Sequence, residues 1–209
     1  MNKAKNTIKA VISDLNFKKD KTLAYSFCSV LIGLISGAII ICFSPTTLKA
    51  ETADLFVSFF TDFTDKNKLE IFSGLALEGL IYFGALFVAG SNIFGKEMTL
   101  FITALKASGI TAIISVLYSD YTLKGLEYTL LVFLPGKVIL FFAMLFMTKF
   151  CFEFARDLRK GKGNIKETKS ITNVYIAKSL IALLFMLISW LIDFFTIIIF
   201  SSLFDFNKQ

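Results

Sequence analysis

At 209 residues the chain has the length of one or two soluble domains, yet 56% of it is hydrophobic, 18% is charged and its mean hydropathy is +0.71, more apolar surface than one soluble core can hide. The net charge of +6 sits at the ends of apolar blocks, not in a basic, aromatic-studded groove, so a membrane surface accounts for it and nucleic acid is not an expected partner. With no His, and with Cys28, Cys42 and Cys151 lacking CxxC spacing, the chain has no His-based catalytic pair, disulfide framework or zinc site, and neither cofactor nor metal is expected.

The leader, 1–23, carries Lys3, Lys5, Lys9, Lys18, Lys19 and Lys21, with Ile8, Val11, Ile12 and Leu15 at helical spacing. It reads either as an in-plane helix on an anionic leaflet or as a disordered basic arm. From 24 to 204 the apolar blocks are long enough to cross ~30 Å of hydrocarbon, which predicts one all-α, polytopic bundle of about five spans. Span 1 covers 24–43 and is expected to be retained. Its Ser29, Gly33 and Gly37 recur every four residues, a stripe suited to close helix packing, inside the bundle or against a partner's membrane anchor. Ser44-Pro45 then predicts a helix start, with Leu48, Leu55, Phe56, Phe59, Phe60 and Phe63 on one face of an external amphipathic helix. That face is an interfacial anchor or a docking surface for an extracytoplasmic enzyme.

Span 2 (71–94) and span 3 (98–118) are joined by Gly95-Lys96-Glu97 and must form a hairpin. Span 3 has its own small-residue stripe, Ala104, Ser108, Ala112 and Ser115, expected to serve its hairpin neighbour. In 125–150, Pro135-Gly136 predicts a broken helix. The ten residues before the break rise only ~15 Å, so 125–134 is expected as a re-entrant half-helix before a full span. The last span covers 174–203, with a short external tail at 205–209. Lys and Arg crowd the leader and 156–169, whereas 45–70 is mixed, which puts the amino terminus in the cytoplasm and the carboxyl terminus outside.

Four ionisable residues fall within the spans. At ~1.5 Å per residue Lys106 lies ~12 Å above the cytoplasmic end of span 3 and Asp193 ~25 Å up span 5, which makes them poor partners. Glu78 and Lys137 are reached from outside and share the level of Asp193. An unpaired charge costs ~2.5–3.5 kcal/mol on insertion scales, so an outer-leaflet cluster of Glu78, Lys137 and Asp193 is expected, with Lys106 nearer the cytoplasm and partly snorkelling.

The order of LIGLISGAII, ADLFVSFFTDF, FITALKASG, VFLPGKV and SWLIDFF over about 24–204 resembles the stage II sporulation protein M family. The chain departs from the family's pattern at Ala107, where Gly follows the Lys, and at Gly136-Lys137, where Gln-Asn is usual. The resemblance implies a multi-pass protein of the bacterial cell membrane with no catalytic residues. It would be a scaffold that recruits membrane-anchored peptidoglycan hydrolases, amidase and lytic transglycosylase in type, as in septal wall thinning and engulfment during sporulation. It further implies that Lys106, in the A-L-K step, matters more than Lys137. Membrane lipid is the other expected partner, and self-association stays open. The competing reading, a small transporter or channel subunit with a polar outer-leaflet cavity, draws on the Pro135 break and the intramembrane charges. An intramembrane hydrolase would have only Glu78 with Asp193 to work with.

Overall fold

The computed structural model describes residues 21–52, 68–92, 94–160, 165–200 and 203. The expectations for the leader up to residue 20, for Leu55, Phe56, Phe59, Phe60 and Phe63, and for the tail at 205–209 lie outside the described residues. The described chain is an all-α bundle. Its elements are α1 (Lys21–Phe43), α2 (Lys68–Gly90), α3 (Gly95–Tyr128), a π turn (Thr129–Phe133), α4 (Leu134–Lys160) and α5 (Ile165–Phe200), with a short helical stretch at 46–52. Four helical runs, Lys21–Phe43, Leu69–Gly90, Gly95–Leu158 and Thr168–Phe200, are long and apolar enough to cross a bilayer. Their outward faces carry large apolar side chains such as Ile32, Ile35, Leu77, Ile81 and Phe101. This is a multi-pass membrane protein.

The third run folds back on itself. Thr122 leaves helical geometry at φ 50° and ψ −120°, and Gly125 then rests on the Leu117 carbonyl, where a Cβ would collide. Beyond the reversal, Thr103 meets Thr148 at 3.2 Å and Ala107 packs with Leu145, as antiparallel neighbours do. Among the described residues the bundle therefore has five helical passes. The α2–α3 connection lies earlier than the expected Gly95-Lys96-Glu97: the Ser91 N–H bonds the Phe87 carbonyl and the Gly95 N–H bonds the Asn92 carbonyl at 2.9 Å, so Gly95 already begins α3. Ser44 does not cap the next helix. Its hydroxyl donates back to the Ile40 carbonyl at 2.7 Å and closes α1.

The expected break at Pro135-Gly136 and the re-entrant half-helix are corrected. The Leu134 N–H bonds the Thr129 carbonyl, the longer reach of a π turn, and the helix continues through Pro135 into α4. Proline lacks a backbone donor, so a carbonyl one turn before it loses its helical bond, while α5 braces the backbone on both sides of Pro135: the Thr196 hydroxyl donates to the Val132 carbonyl at 2.9 Å and the Ser189 hydroxyl to the Gly136 carbonyl at 2.8 Å. Local π adjustment and bracing by hydroxyls of a neighbouring helix allow helices within membranes to keep their prolines.

The stripe of Ser29, Gly33 and Gly37 packs inside the bundle. The Ser29 hydroxyl donates to the Leu100 carbonyl at 2.6 Å, and Cβ atoms at Gly33 and Gly37 would strike the Ala104 and Ser108 carbonyl oxygens. The two small-residue stripes thus face one another, and span 3 offers its stripe to α1, not to its hairpin neighbour α2. The register rises together on both helices, so α1 and α3 run parallel. Lys96 lies 5.6 Å from the Tyr25 ring centre and 5.2 Å from that of Phe152, which brings the starts of α1 and α3 and the end of α4 to one basic end. The core between α2, α3, α4 and α5 is built on Leu86, Ile110, Met144, Met147, Met186 and Trp190, and Phe87, Tyr175 and Phe154 stack at 5.3 and 4.3 Å.

Candidate functional site

One ionisable side chain from each of α2, α3, α4 and α5 meets at mid-bundle. Glu78 and Lys106 stand almost equally far from the Ser91–Phe94 turn, one before and one after it, so the hairpin sets them at one level. They form an ion pair. The Thr122 reversal and the connection after α4 similarly align Lys106 with Lys137 and Lys137 with Asp193. Lys137 Nζ reaches Asp193 Oδ2 at 2.8 Å. Burial separates the pairs: Lys137 and Asp193 side chains are 13% and 5% exposed, and those of Lys106 and Glu78 are 16% and 57%.

Aromatic and small residues shape the seats of these charges. The Lys106 ammonium lies 4.9 Å from the Tyr82 ring centre, and the Tyr82 hydroxyl donates to the Ile102 carbonyl, which ties α2 to α3. Lys137 lies 5.1 Å from the Phe133 ring centre. Gly136 is where Asp193 fits, since a Cβ there would run into the Asp193 carboxylate. Pro135-Gly136 is thus a seat for a buried acid, not a hinge. The four charged groups line one recess of about 640 Å³ whose walls are otherwise largely aliphatic.

The structure brings together all four residues singled out in the spans: Lys137 pairs with Asp193 within the expected cluster, whereas Glu78 pairs with Lys106, expected to stand apart. Counting from separate helix starts set Lys106 apart; counting from the shared turns would have paired it with Glu78. Three further contributors escaped notice. Ser189 and Thr196 flank Asp193 at i−4 and i+3 on one face of α5, spacing that marks them as its companions. Tyr82 follows Glu78 at i+4. A second ionic group lies nearer the basic end, where Glu153 meets Lys178 at 2.6 Å and the buried Lys149 at 3.8 Å. Only the i,i+4 spacing of Lys149 and Glu153 signals it in the sequence. Cys151 is buried, its thiol directed at the Leu86 carbonyl at 3.8 Å, while Cys28 and Cys42 are exposed.

Chemically the site holds two compensated pairs in an apolar recess, suited to fixing helix positions and to recognising a charge brought from outside the bundle. Among the described residues no group of three or more His, Cys, Asp or Glu side chains is placed to hold a metal ion. No family model matches the chain, and neither a curated protein nor a solved structure matches it.

Proposed function

We propose that this chain is a non-catalytic scaffold of the bacterial cell membrane that recruits and localises peptidoglycan-degrading enzymes, as in septal wall thinning and engulfment during sporulation. The reading starts from the motif order that resembles the stage II sporulation protein M family. The observation that carries it further is the mid-bundle site, where four charges cancel in two pairs and the Thr196 and Ser189 hydroxyls tie α5 to the backbone on either side of Pro135. That arrangement favours a fixed frame that presents a recess. The rival transporter reading draws on the intramembrane charges, which here cancel in pairs, and on a broken helix, whose unwound carbonyls would meet a transported ion. With the helix continuous through the π turn, that support is gone.

In this reading the basic end faces the cytoplasm and the Thr122 reversal faces the wall, where hydrolases act. An affinity-tagged chain solubilised from its native membrane is expected to bring down peptidoglycan-cleaving activity, while the chain purified alone from a foreign host has none. Recovery without any wall hydrolase, together with solute flux in proteoliposomes, would replace the scaffold by the transporter. Orientation has its own check. With Cys28 and Cys42 replaced by Ala, an impermeant maleimide should label Lys124→Cys in intact cells and Lys169→Cys only after permeabilisation; the reverse pattern turns the protein over.

A further inference from the structure

The recess at the polar site opens sideways. Its floor is buried, with Ile110, Val116, Val132 and Ile197 almost fully covered, whereas its rim between α2 and α3 is exposed at Glu78, Ile81, Leu105 and Gly109. Glu78 lies near the middle of the 23-residue α2, about 15 Å from either end, so the rim faces hydrocarbon. One carboxylate oxygen takes the Lys106 ammonium, yet the side chain is still 57% exposed. A half-exposed carboxylate at this depth is costly unless a donor from outside the bundle covers it.

We infer that the window between α2 and α3 is the docking site for a transmembrane helix of a partner protein that carries a Lys or Arg near its middle, whose cationic group joins Glu78. Charge complementarity selects this occupant: the exposed group at the rim is an acid, while Lys106 is covered and already engaged. Close approach is provided for. A Cβ at Gly109 or Gly74 would meet nothing within 4 Å, so a second backbone can come near both lips of the window. Apolar side chains flanking the partner's cation have the aliphatic recess to enter.

A second copy of the chain fits less well. Among the described residues the exposed cations, Lys21, Lys96, Lys124, Arg156 and Lys169, lie near helix ends or turns, and the half-buried Lys49 lies in the short helical stretch at 46–52. Those within the passes, Lys106, Lys137, Lys149 and Lys178, are largely covered by their own bundle. None is free at the depth of Glu78. The inference rests on the scaffold reading, since it takes the anchor of a membrane-anchored partner as the occupant.

The test uses the full chain, donor-labelled, in phosphatidylcholine vesicles with acceptor-labelled, 23-residue Leu/Ala transmembrane peptides. The peptides carry Lys at position 12, Leu at position 12, or Lys at position 4. Energy transfer should show the central-Lys peptide binding about tenfold tighter than the other two, the ratio that ~1.4 kcal/mol confers. Glu78→Gln should erase the preference, and Gly109→Leu, which fills the window, should weaken binding of the central-Lys peptide. Equal binding of the three peptides overturns the inference, as does a preference that survives Glu78→Gln. Transfer between two labelled copies that Glu78→Gln abolishes overturns it in favour of self-association. The peptide series reads the unaltered chain, so poor folding of a variant leaves the test intact. Hydrolase recovery undiminished by Glu78→Gln removes this docking site and leaves the scaffold standing; peptide preference without hydrolase recovery does the opposite.

Discussion

Lys137–Asp193 and Glu78–Lys106 lie at one level of the bundle, yet the first is sealed between α4 and α5 while the second stands at the rim between α2 and α3. Around the sealed pair every neighbour is fitted to it: Gly136 clears room for the carboxylate, Ser189 and Thr196 bond the backbone beside it, and Phe133 covers the ammonium. Around the rim pair the fit is one-sided, with Tyr82 beneath Lys106 and open surface beside Glu78. A sealed pair holds helices together and leaves nothing to bind. A rim pair holds two helices and keeps one charged edge available. The difference assigns cohesion to the first and recognition to the second.

The largest effect is therefore expected for Lys137→Met. It leaves Asp193 buried without its cation, and breaking such a pair on one side costs about 3–5 kcal/mol. Folded protein in the membrane should fall sharply, read as the monodisperse fraction after detergent extraction. The double variant Lys137→Met, Asp193→Ala should recover most of it, because the cost is the orphaned charge and not the absence of a bridge. A double variant as poor as the single would mean that the pair is more than charge compensation.

Next in size is Gly136→Ala. Its Cβ would occupy the space of the Asp193 carboxylate, which cannot retreat without leaving Lys137, and overpacking of this kind costs about 1–3 kcal/mol. Reversible unfolding in mixed micelles would measure it. In the Lys137→Met, Asp193→Ala background the same change should cost clearly less, since the carboxylate is gone and only the Ser189 carbonyl oxygen, 2.9 Å from the added Cβ, remains in the way. Equal destabilisation in both backgrounds would place the glycine's importance at the Ser189 contact and not at the carboxylate.

The parts of this design that local rules govern were legible in the sequence, and the parts that depend on how two helices meet were not. Block length and hydropathy sufficed for an all-α, multi-pass bundle. The spacing of Ser29, Gly33 and Gly37 announced a close helix contact but not its partner, because a stripe of small residues accepts any backbone that offers a matching ridge. Pro135 suggests a break because its missing donor is local, whereas the continuity through the π turn is braced by Ser189 and Thr196, more than fifty residues away. Lys106 was set apart from Glu78 by measuring depth from estimated helix ends, and those ends were off by several residues at each turn. Distances along a hairpin are better counted from the turn itself, where the errors on its two arms cancel.

Lys106→Met is expected to have the smallest effect on stability of the three, and it tests the comparison most directly. Removing the ammonium takes from Glu78 its ion-pair partner, but that carboxylate is already more than half exposed and can turn toward a donor at the rim. The cost should fall at about 1–2 kcal/mol, between that of an exposed pair in water and that of a charge stranded in lipid. Abundance in the membrane should therefore drop less than for Lys137→Met, while binding of the central-Lys peptide should persist, because its acceptor is Glu78 and not Lys106. The family resemblance argues the other way, since it makes Lys106 the residue that matters more than position 137. Membrane abundance and peptide binding for the two variants decide the matter. A larger loss of folded protein for Lys106→Met than for Lys137→Met would exchange the roles of the two pairs, making the rim pair the structural tie and leaving Glu78 no surplus charge to offer a partner.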